Sequence, residues 1–283
     1  MRSNNLLSTY AKSFNWAGFF LPKKIYKKCS SLYDFCRTVD DIVDQELKLD
    51  IKIKQFKEFK EKFVNKDFNN HIIKNMYKLI EDTGISKKIV YDLFDGVESD
   101  LKSEVKIKSK KELLIYSYRV AGTVGLMMAK ILNVKKQNAL KAAINLGIAM
   151  QLTNIARDVV EDNIKNRTYI ESNFEAIKST LILANSFYKS SFLSITDIPI
   201  SCRFAILVAR RVYRQIGNNI LSKRNIENYN KSGKIYVSNI GKLLQTILSI
   251  FDFLTLLIRK QKEHDKESEH QIISEEINLN ERI

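Results

Sequence analysis

Proline and glycine are scarce in this chain of 283 residues, at 2 and 9. Little therefore punctuates the helical patterns, and the chain reads as mostly helical. Pro22 and Pro199 both fall in connections, after Gly18-Phe19-Phe20-Leu21 and after Thr196-Asp197-Ile198. Cysteine and histidine number three each. Cys29, Cys36 and Cys202 make no Cys-x-x-Cys pair and no disulfide framework. His71, His264 and His270 lack the spacing of a zinc site. No Walker-type loop and no Gly-x-Gly-x-x-Gly occurs. The opening Met1-Arg2-Ser3-Asn4-Asn5 begins no apolar signal core. These absences lead us to expect a cytoplasmic protein whose metal would sit on carboxylates.

What is present is charge of one sign and an ordinary apolar fraction. Apolar residues make up 45%, enough for a globular core. Lys and Arg outnumber Asp and Glu by 47 to 32, a net charge of +15. Such a surface is either simply solvated or attracts anions, whether diphosphates or the face of an anionic membrane. Nucleic acid is not expected, because no zinc-finger spacing, RNA-recognition signature or basic heptad region accompanies the charge.

Periodicity divides the chain into helices over residues 24–46, 87–102, 110–132, 136–163, 174–194 and 200–221, with a charged helical region over 51–81. Thr83-Gly84-Ile85-Ser86 reads as a turn with an N-cap. Small residues crowd positions 121–125, Ala-Gly-Thr-Val-Gly. They suit a close helix contact, a groove for a hydrocarbon chain, or both. Residues 240–258 are apolar but interrupted by Asp252 and by hydroxyl and amide side chains. They suit a last core helix, an interfacial membrane helix or a span. The charged tail over 261–283 is expected to be disordered. No linker divides the chain, so residues 1–260 read as one all-α domain.

Two stretches carry the chemistry. Residues 33–44 and 151–162 each hold an Asp-x-x-x-Asp pair with an Arg nearby. On helices, Tyr33, Arg37, Asp40 and Asp44 form one stripe, and Gln151, Asn154, Asp158 and Asp162 another. Single pairs of this kind are usually solvated. Here Val39, Ile42 and Val43 flank the first pair, and Ile155, Val159 and Val160 the second. Carboxylates on faces this apolar must be paired or face a polar cavity. Two facing stripes would cage Mg²⁺ and a diphosphate, since Mg²⁺ takes one or two carboxylates, water and phosphate oxygens. Arg37, Arg157 and Arg167 suit either bidentate phosphate binding or a salt bridge to a neighbouring Asp.

These motifs, with Ser13-Phe14, residues 95–101 (Asp-Gly-Val-Glu-Ser-Asp-Leu), residues 116–128 and Asn166-Arg167-Thr168-Tyr169-Ile170, resemble the squalene/phytoene synthases, the head-to-head prenyl diphosphate synthases. The likeness runs from about Ser13 to about Lys242, and the run Arg-Val-Ala-Gly-Thr-Val-Gly-Leu-Met-Met over 119–128 is most like phytoene synthases. The resemblance implies an all-α isoprenoid-synthase fold around a central cavity. It implies that two geranylgeranyl diphosphates condense to prephytoene diphosphate and then rearrange to phytoene, in carotenoid biosynthesis. Mg²⁺, or Mn²⁺ in its place, would be held by Asp40, Asp44, Asp158 and Asp162, and no NADPH is expected. Arg37, Arg167, Tyr169 and Lys234 would hold diphosphate. Tyr116 would assist proton transfer, with Phe14 and Tyr33 near the reacting carbons. Gln151 and Asn154 would line the metal site, and Tyr229 would close the site. Partners would be the inner face of the membrane, met peripherally, and carotenoid-pathway enzymes.

Three departures from the family pattern stand out: Ala11 in place of Ser, Glu171 in place of Pro, and a shorter stretch from there to Tyr213. Two other readings are kept. One is a farnesyl diphosphate enzyme making squalene, hydroxysqualene or dehydrosqualene. The other is a non-catalytic assembly or binding protein on the same fold, which would have no need of its Asp pairs.

Overall fold

The computed structural model describes residues 12–259 and 266–283, with backbone alone for residues 12–14. Ala11 and the side chain of Phe14 thus lie outside the described residues. Helices follow one another as α1 Lys12–Gly18, α2 Lys23–Asp44, α3 Leu49–Val64, α4 His71–Thr83, α5 Lys87–Glu98, α6 Lys110–Ser117 and α7 Thr123–Ile131. Then come α8 Gln137–Arg157, α9 Val159–Ile164, α10 Phe174–Ser190, α11 Ile200–Leu221, α12 Ile226–Lys231, α13 Asn239–Ile258 and α14 Glu267–Ser274. The strands are two-residue pieces, β1 Val105–Lys106 parallel to β2 Arg167–Thr168. The expected all-α architecture is what the chain adopts.

Local chemistry sets the boundaries. The two prolines stand directly before α2 and α11, where a missing N–H costs nothing. The charged region over 51–81 is two helices. Lys66 takes a positive φ of 55°, and the Asn70 side chain accepts the Ile72 and Ile73 N–H groups to start α4. Gly84 at φ 68° ends α4, and Ser86 caps α5.

The core sits around α8. That helix is apolar nearly all round, with Ile144, Ile148, Leu152 and Ile155 buried, so it runs through the middle of the bundle. Gly125 of α7 and Gly147 of α8 let two backbones meet. A Cβ on either would lie 2.2 Å from a carbonyl oxygen of the other segment, that of Ala143 or Ala121. The segment expected as one helix over 110–132 contains a π-helical turn, Tyr118–Gly122. The Thr123 hydroxyl donates to Arg119 O (2.7 Å), the carbonyl its own N–H would take in an α-helix, and that N–H goes to Tyr118 O instead.

One expectation is corrected, and one of three readings of residues 240–258 falls away. The tail over 261–283 is not disordered where described. Ile273, Ile277 and Leu279 are buried in the core, and the His270 ring meets Asn145 Oδ1 at 2.7 Å. Arg282 grips buried Asp92 with two bonds of 2.9 and 3.0 Å. Its few apolar residues are spaced to bury together, which its average charge conceals. Helix α13, in turn, is no core helix. Lys242, Gln245, Ser249 and Leu256 face inward, and Asp252 binds Arg211. Ile240, Leu243, Leu244, Ile247, Phe251 and Ile258 face out.

Candidate active site

A cavity of about 870 Å³ runs along α2, between that helix and α7, α8 and α11. Its lining on α2 passes from Tyr26 through Cys29, Tyr33, Cys36 and Arg37 to Asp40. At 1.5 Å per residue this is a depth of about 21 Å. Apolar and small groups line most of it, including Val120, Ala121, Val124, Gly125 and Met128. The small residues at 121–125 therefore serve both the helix contact and the cavity wall. Polar groups collect at one end, where Arg37, Asp40, Gln151, Asn154, Arg157 and Lys234 meet.

The two Asp motifs come together at that end, with Asp40 in the cavity lining and Asp44, Asp158 and Asp162 just outside it. Arg167, carried on β2 and buried, donates to Asp44 Oδ1 at 2.8 Å across 123 residues of sequence. Lys165 Nζ also reaches Asp44, at 3.3 Å. On the other side Arg157 holds Asp158 with two bonds of 2.8 and 2.6 Å, and Lys234 lies 3.3 Å from the same carboxylate. Arg157 is thus a brace for the second motif. Arg37 pairs with Asp41 at 2.5 Å while lining the cavity.

Each motif therefore pairs one carboxylate with cations and leaves the other to its neighbours. Among the described residues, no ion pair reaches Asp40 or Asp162. Asp40 lines the polar end of the cavity, with its side chain exposed to the open volume. Desolvation, then the Asp44 charge, pushes its carboxyl up to about 7. Desolvation, then Asp158, pushes Asp162 up to about 7 as well. Burial acts on Asp44 too, but the bond and charge of Arg167 and then Lys165 outweigh it and hold Asp44 below the usual range.

Behind the motifs lies a cluster that the sequence reading only half assembled. Tyr116 and Tyr169 stack with ring centroids 4.7 Å apart. Their hydroxyls meet at 3.0 Å and donate to Asp100 at 2.8 and 2.7 Å. Burial raises the Asp100 carboxyl despite Arg167 and both hydroxyls, and burial raises Tyr116 further from ionisation. Asp100 had a signal in sequence, as the last acidic residue of the 95–101 motif, but no role. Lys165 and Asp41 were missed outright, as each is one charge among many.

The second stripe does not lie on one helix. The chain breaks at Asp158, between α8 and α9. Tyr229 explains it: its hydroxyl lies 3.1 Å from Ala156 O and 2.7 Å from Arg157 O, occupying the carbonyls at the break. Tyr229 is buried behind the motif rather than across the cavity mouth. Tyr33, Gln151 and Asn154 do line the cavity, and burial pushes the Tyr33 phenol up to about 12. Tyr116, Arg167 and Tyr169 stand beside it, Arg167 and Tyr169 along a narrow crevice with Asp162.

The chain is similar to known proteins over most of its length. A family model, Squalene/phytoene synthase, matches residues 7–173. A phytoene synthase of Pseudescherichia vulneris is 28% identical over 240 residues, 73% of this chain and 77% of that one. A 15-cis-phytoene synthase of a Paracoccus species is 34% identical over 147 residues, 46% of this chain and 48% of that one. The crystal structure of a dehydrosqualene synthase in complex with ligand superposes with a TM-score of 0.76 at 25% identity, covering 88% of this chain and 94% of that one. The chain belongs to the squalene/phytoene synthase family.

Proposed function

We propose that the protein is a phytoene synthase. This prenyltransferase would join two geranylgeranyl diphosphates head to head through prephytoene diphosphate, releasing two diphosphates. The observation that carries the reading is the bridge from Arg167 to Asp44, which sets both Asp motifs at the polar end of one long apolar cavity. A non-catalytic protein has no use for such an end. Relatives named phytoene synthase favour the C20 substrate. The dehydrosqualene synthase structure supports the other reading, a farnesyl diphosphate enzyme.

The donor set fits Mg²⁺. Asp40 and Asp162 are carboxylates crowded by like charge, where a cation is favoured. Among the described residues no three acidic, His or Cys side chains converge on one point. An ion here would complete its sphere with water and diphosphate oxygens, as Mg²⁺ commonly does. Asp40, Asp44, Asp158 and Asp162 would hold it, with Mn²⁺ as a substitute. Bound there, it would supply neutralising charge to the leaving diphosphate.

The chain's own residues do the rest. Arg37, Arg167, Lys165 and Lys234 orient the diphosphate and offset its charge. The apolar wall from Cys29 to Met128 excludes water from the allylic cation, and Tyr33 offers it a ring face. Asp100 fixes the Tyr116 and Tyr169 hydroxyls, holding the Tyr116 proton beside the diphosphate end. Neither half-reaction so written consumes hydride, so NADPH has no part. The same reading places the protein in the cytoplasm, peripherally on the membrane's inner face, near carotenoid-pathway enzymes.

The test is incubation with geranylgeranyl diphosphate and Mg²⁺ without NADPH, beside a parallel with farnesyl diphosphate. A C40 hydrocarbon from the first is expected. Turnover of farnesyl diphosphate alone selects the other reading. With neither a C40 hydrocarbon nor a cyclopropyl diphosphate, the proposal fails.

A further inference from the structure

Helix α13 is built inside out. Its 20 residues are long and apolar enough to cross a membrane, yet it lies along the protein with its polar side inward. Ile240, Leu243, Leu244, Ile247, Phe251 and Ile258 all face outward, with exposures from 47% to 84%. Its one carboxylate, Asp252, is turned in toward Arg211. A helix that satisfies its polar groups inside leaves no structural reason for so wide an apolar face outside.

The patch does not end with the helix. Phe19 is 76% exposed in the turn after α1, and Phe20 beside it packs edge-on against Phe204, at 5.0 Å. Phe204 in turn meets Phe253 of α13. Trp16 Nε1 donates to Thr246 Oγ1 at 2.9 Å, tying α1 to the middle of α13. The flanking residues Gly18 and Leu21 line the cavity. They stand just before α2, whereas Asp44 ends it, roughly 32 Å away along the helix. Phe19 and Phe20 thus cover the end of the cavity opposite the carboxylates, and α13 runs from beside Lys234 at the polar end back past them along the outside.

We propose that α13, with Phe19 and Phe20, is a docking surface for an anionic lipid bilayer. The helix lies in the interfacial plane, the α1 end of the cavity is held against the acyl chains, and the Asp motifs remain in water. Charge selects this occupant. Lys23, Lys24 and Lys27 stand exposed just past Phe20, and Arg259 just past Ile258. This rim complements lipid phosphates. A second copy pairing through the same face would set these cations against their own kind. That the cavity end facing the lipid passes a hydrocarbon rests on the function proposed above; the docking itself does not.

The experiment is flotation with vesicles, in the absence of substrate. Wild-type protein is expected to float with vesicles of phosphatidylcholine and phosphatidylglycerol in equal amounts. It should bind phosphatidylcholine alone more weakly, and salt should loosen the mixed vesicles. The double variant Ile247→Ser/Phe251→Ser should bind about a hundredfold more weakly, roughly tenfold for each apolar side chain withdrawn. Phe19→Ser alone should weaken binding in the same direction. Because these side chains are exposed, helicity, melting temperature and prenyl diphosphate turnover in detergent micelles should stay at wild-type values. The proposal is overturned if wild-type protein floats with neither vesicle, or if the double variant binds as tightly as wild type. It is also overturned if ultracentrifugation shows a dimer that the double variant splits while vesicle binding is unchanged. Failure of turnover in detergent with vesicle binding intact would instead count against the proposed reaction.

Discussion

Asp100→Asn should leave the protein about as stable as wild type, whereas Asp100→Ala should not. The carboxylate receives the Tyr116 and Tyr169 hydroxyls at 2.8 and 2.7 Å, and the two hydroxyls meet at 3.0 Å. An amide can close the same ring. Its N–H donates to one tyrosine, that hydroxyl to the other, and the second hydroxyl to the amide oxygen. No bond is lost, only the charge. Burial holds the Asp100 carboxyl above its usual range, so desolvation outweighs the help the anion receives. The folded state therefore binds this proton more tightly than the unfolded state. Its contribution to stability is full below the unfolded value and shrinks as pH rises through the folded one. The Asn variant lacks that loss. We expect it within about 1 kcal/mol of wild type at mildly acidic pH, and equal or better above neutrality. Asp100→Ala removes the shared acceptor and opens a gap, at a cost of about 2–3 kcal/mol. Denaturant melts of the three proteins across pH decide it. A loss of 3 kcal/mol or more in the Asn variant, or a deficit that grows as pH rises, would refute the reasoning.

Other expectations follow from the same geometry. Gly125→Ala places a methyl 2.2 Å from Ala143 O, so α7 and α8 must part; about 3 kcal/mol should be lost in thermal or urea melts, with turnover falling too. Arg282→Ala leaves Asp92 buried without its cation beside Tyr118, and should lower stability by about 3 kcal/mol; an unchanged melt would mean the Arg282 clasp contributes nothing. Asp40 and Asp162, raised to about 7, make metal-free protein lose stability as pH climbs from the ordinary carboxylate range to about 7. Cavity water tempers the effect at Asp40. At pH above that window added Mg²⁺ should raise the melting temperature, and Asp40→Asn/Asp162→Asn should abolish the Mg²⁺ response and flatten the pH slope to the share left by Asp100.

Much of the helical architecture was legible because it depends on local signals. Two scarce prolines and the Gly84 turn act within a few residues of where they stand. The Asp pairs were legible for the same reason, since their apolar flanks are adjacent in sequence. What escaped depends on groups far along the chain. The break at Asp158 is made by a hydroxyl from Tyr229, so no pattern inside residues 151–162 announces it. The π-helical turn packs against α5 and α8, outside its own stretch, so spacing within 110–132 does not announce it. Composition gave α13 its apolar character but not its orientation, because inward polar groups such as Asp252 and Thr246 find partners on distant helices, α11 and α1. The tail misled for the opposite reason: its charges are numerous, while Ile273, Ile277 and Leu279 decide where it goes.

The central claim is that two adjoining Asp motifs ionise a prenyl diphosphate. The most direct test replaces one carboxylate on each side, Asp40→Asn with Asp158→Asn, and follows product from geranylgeranyl diphosphate with Mg²⁺ alongside circular dichroism. The account predicts that C40 product formation collapses by at least about a hundredfold while the helical signal persists. Turnover at the wild-type rate from a folded double variant would contradict it.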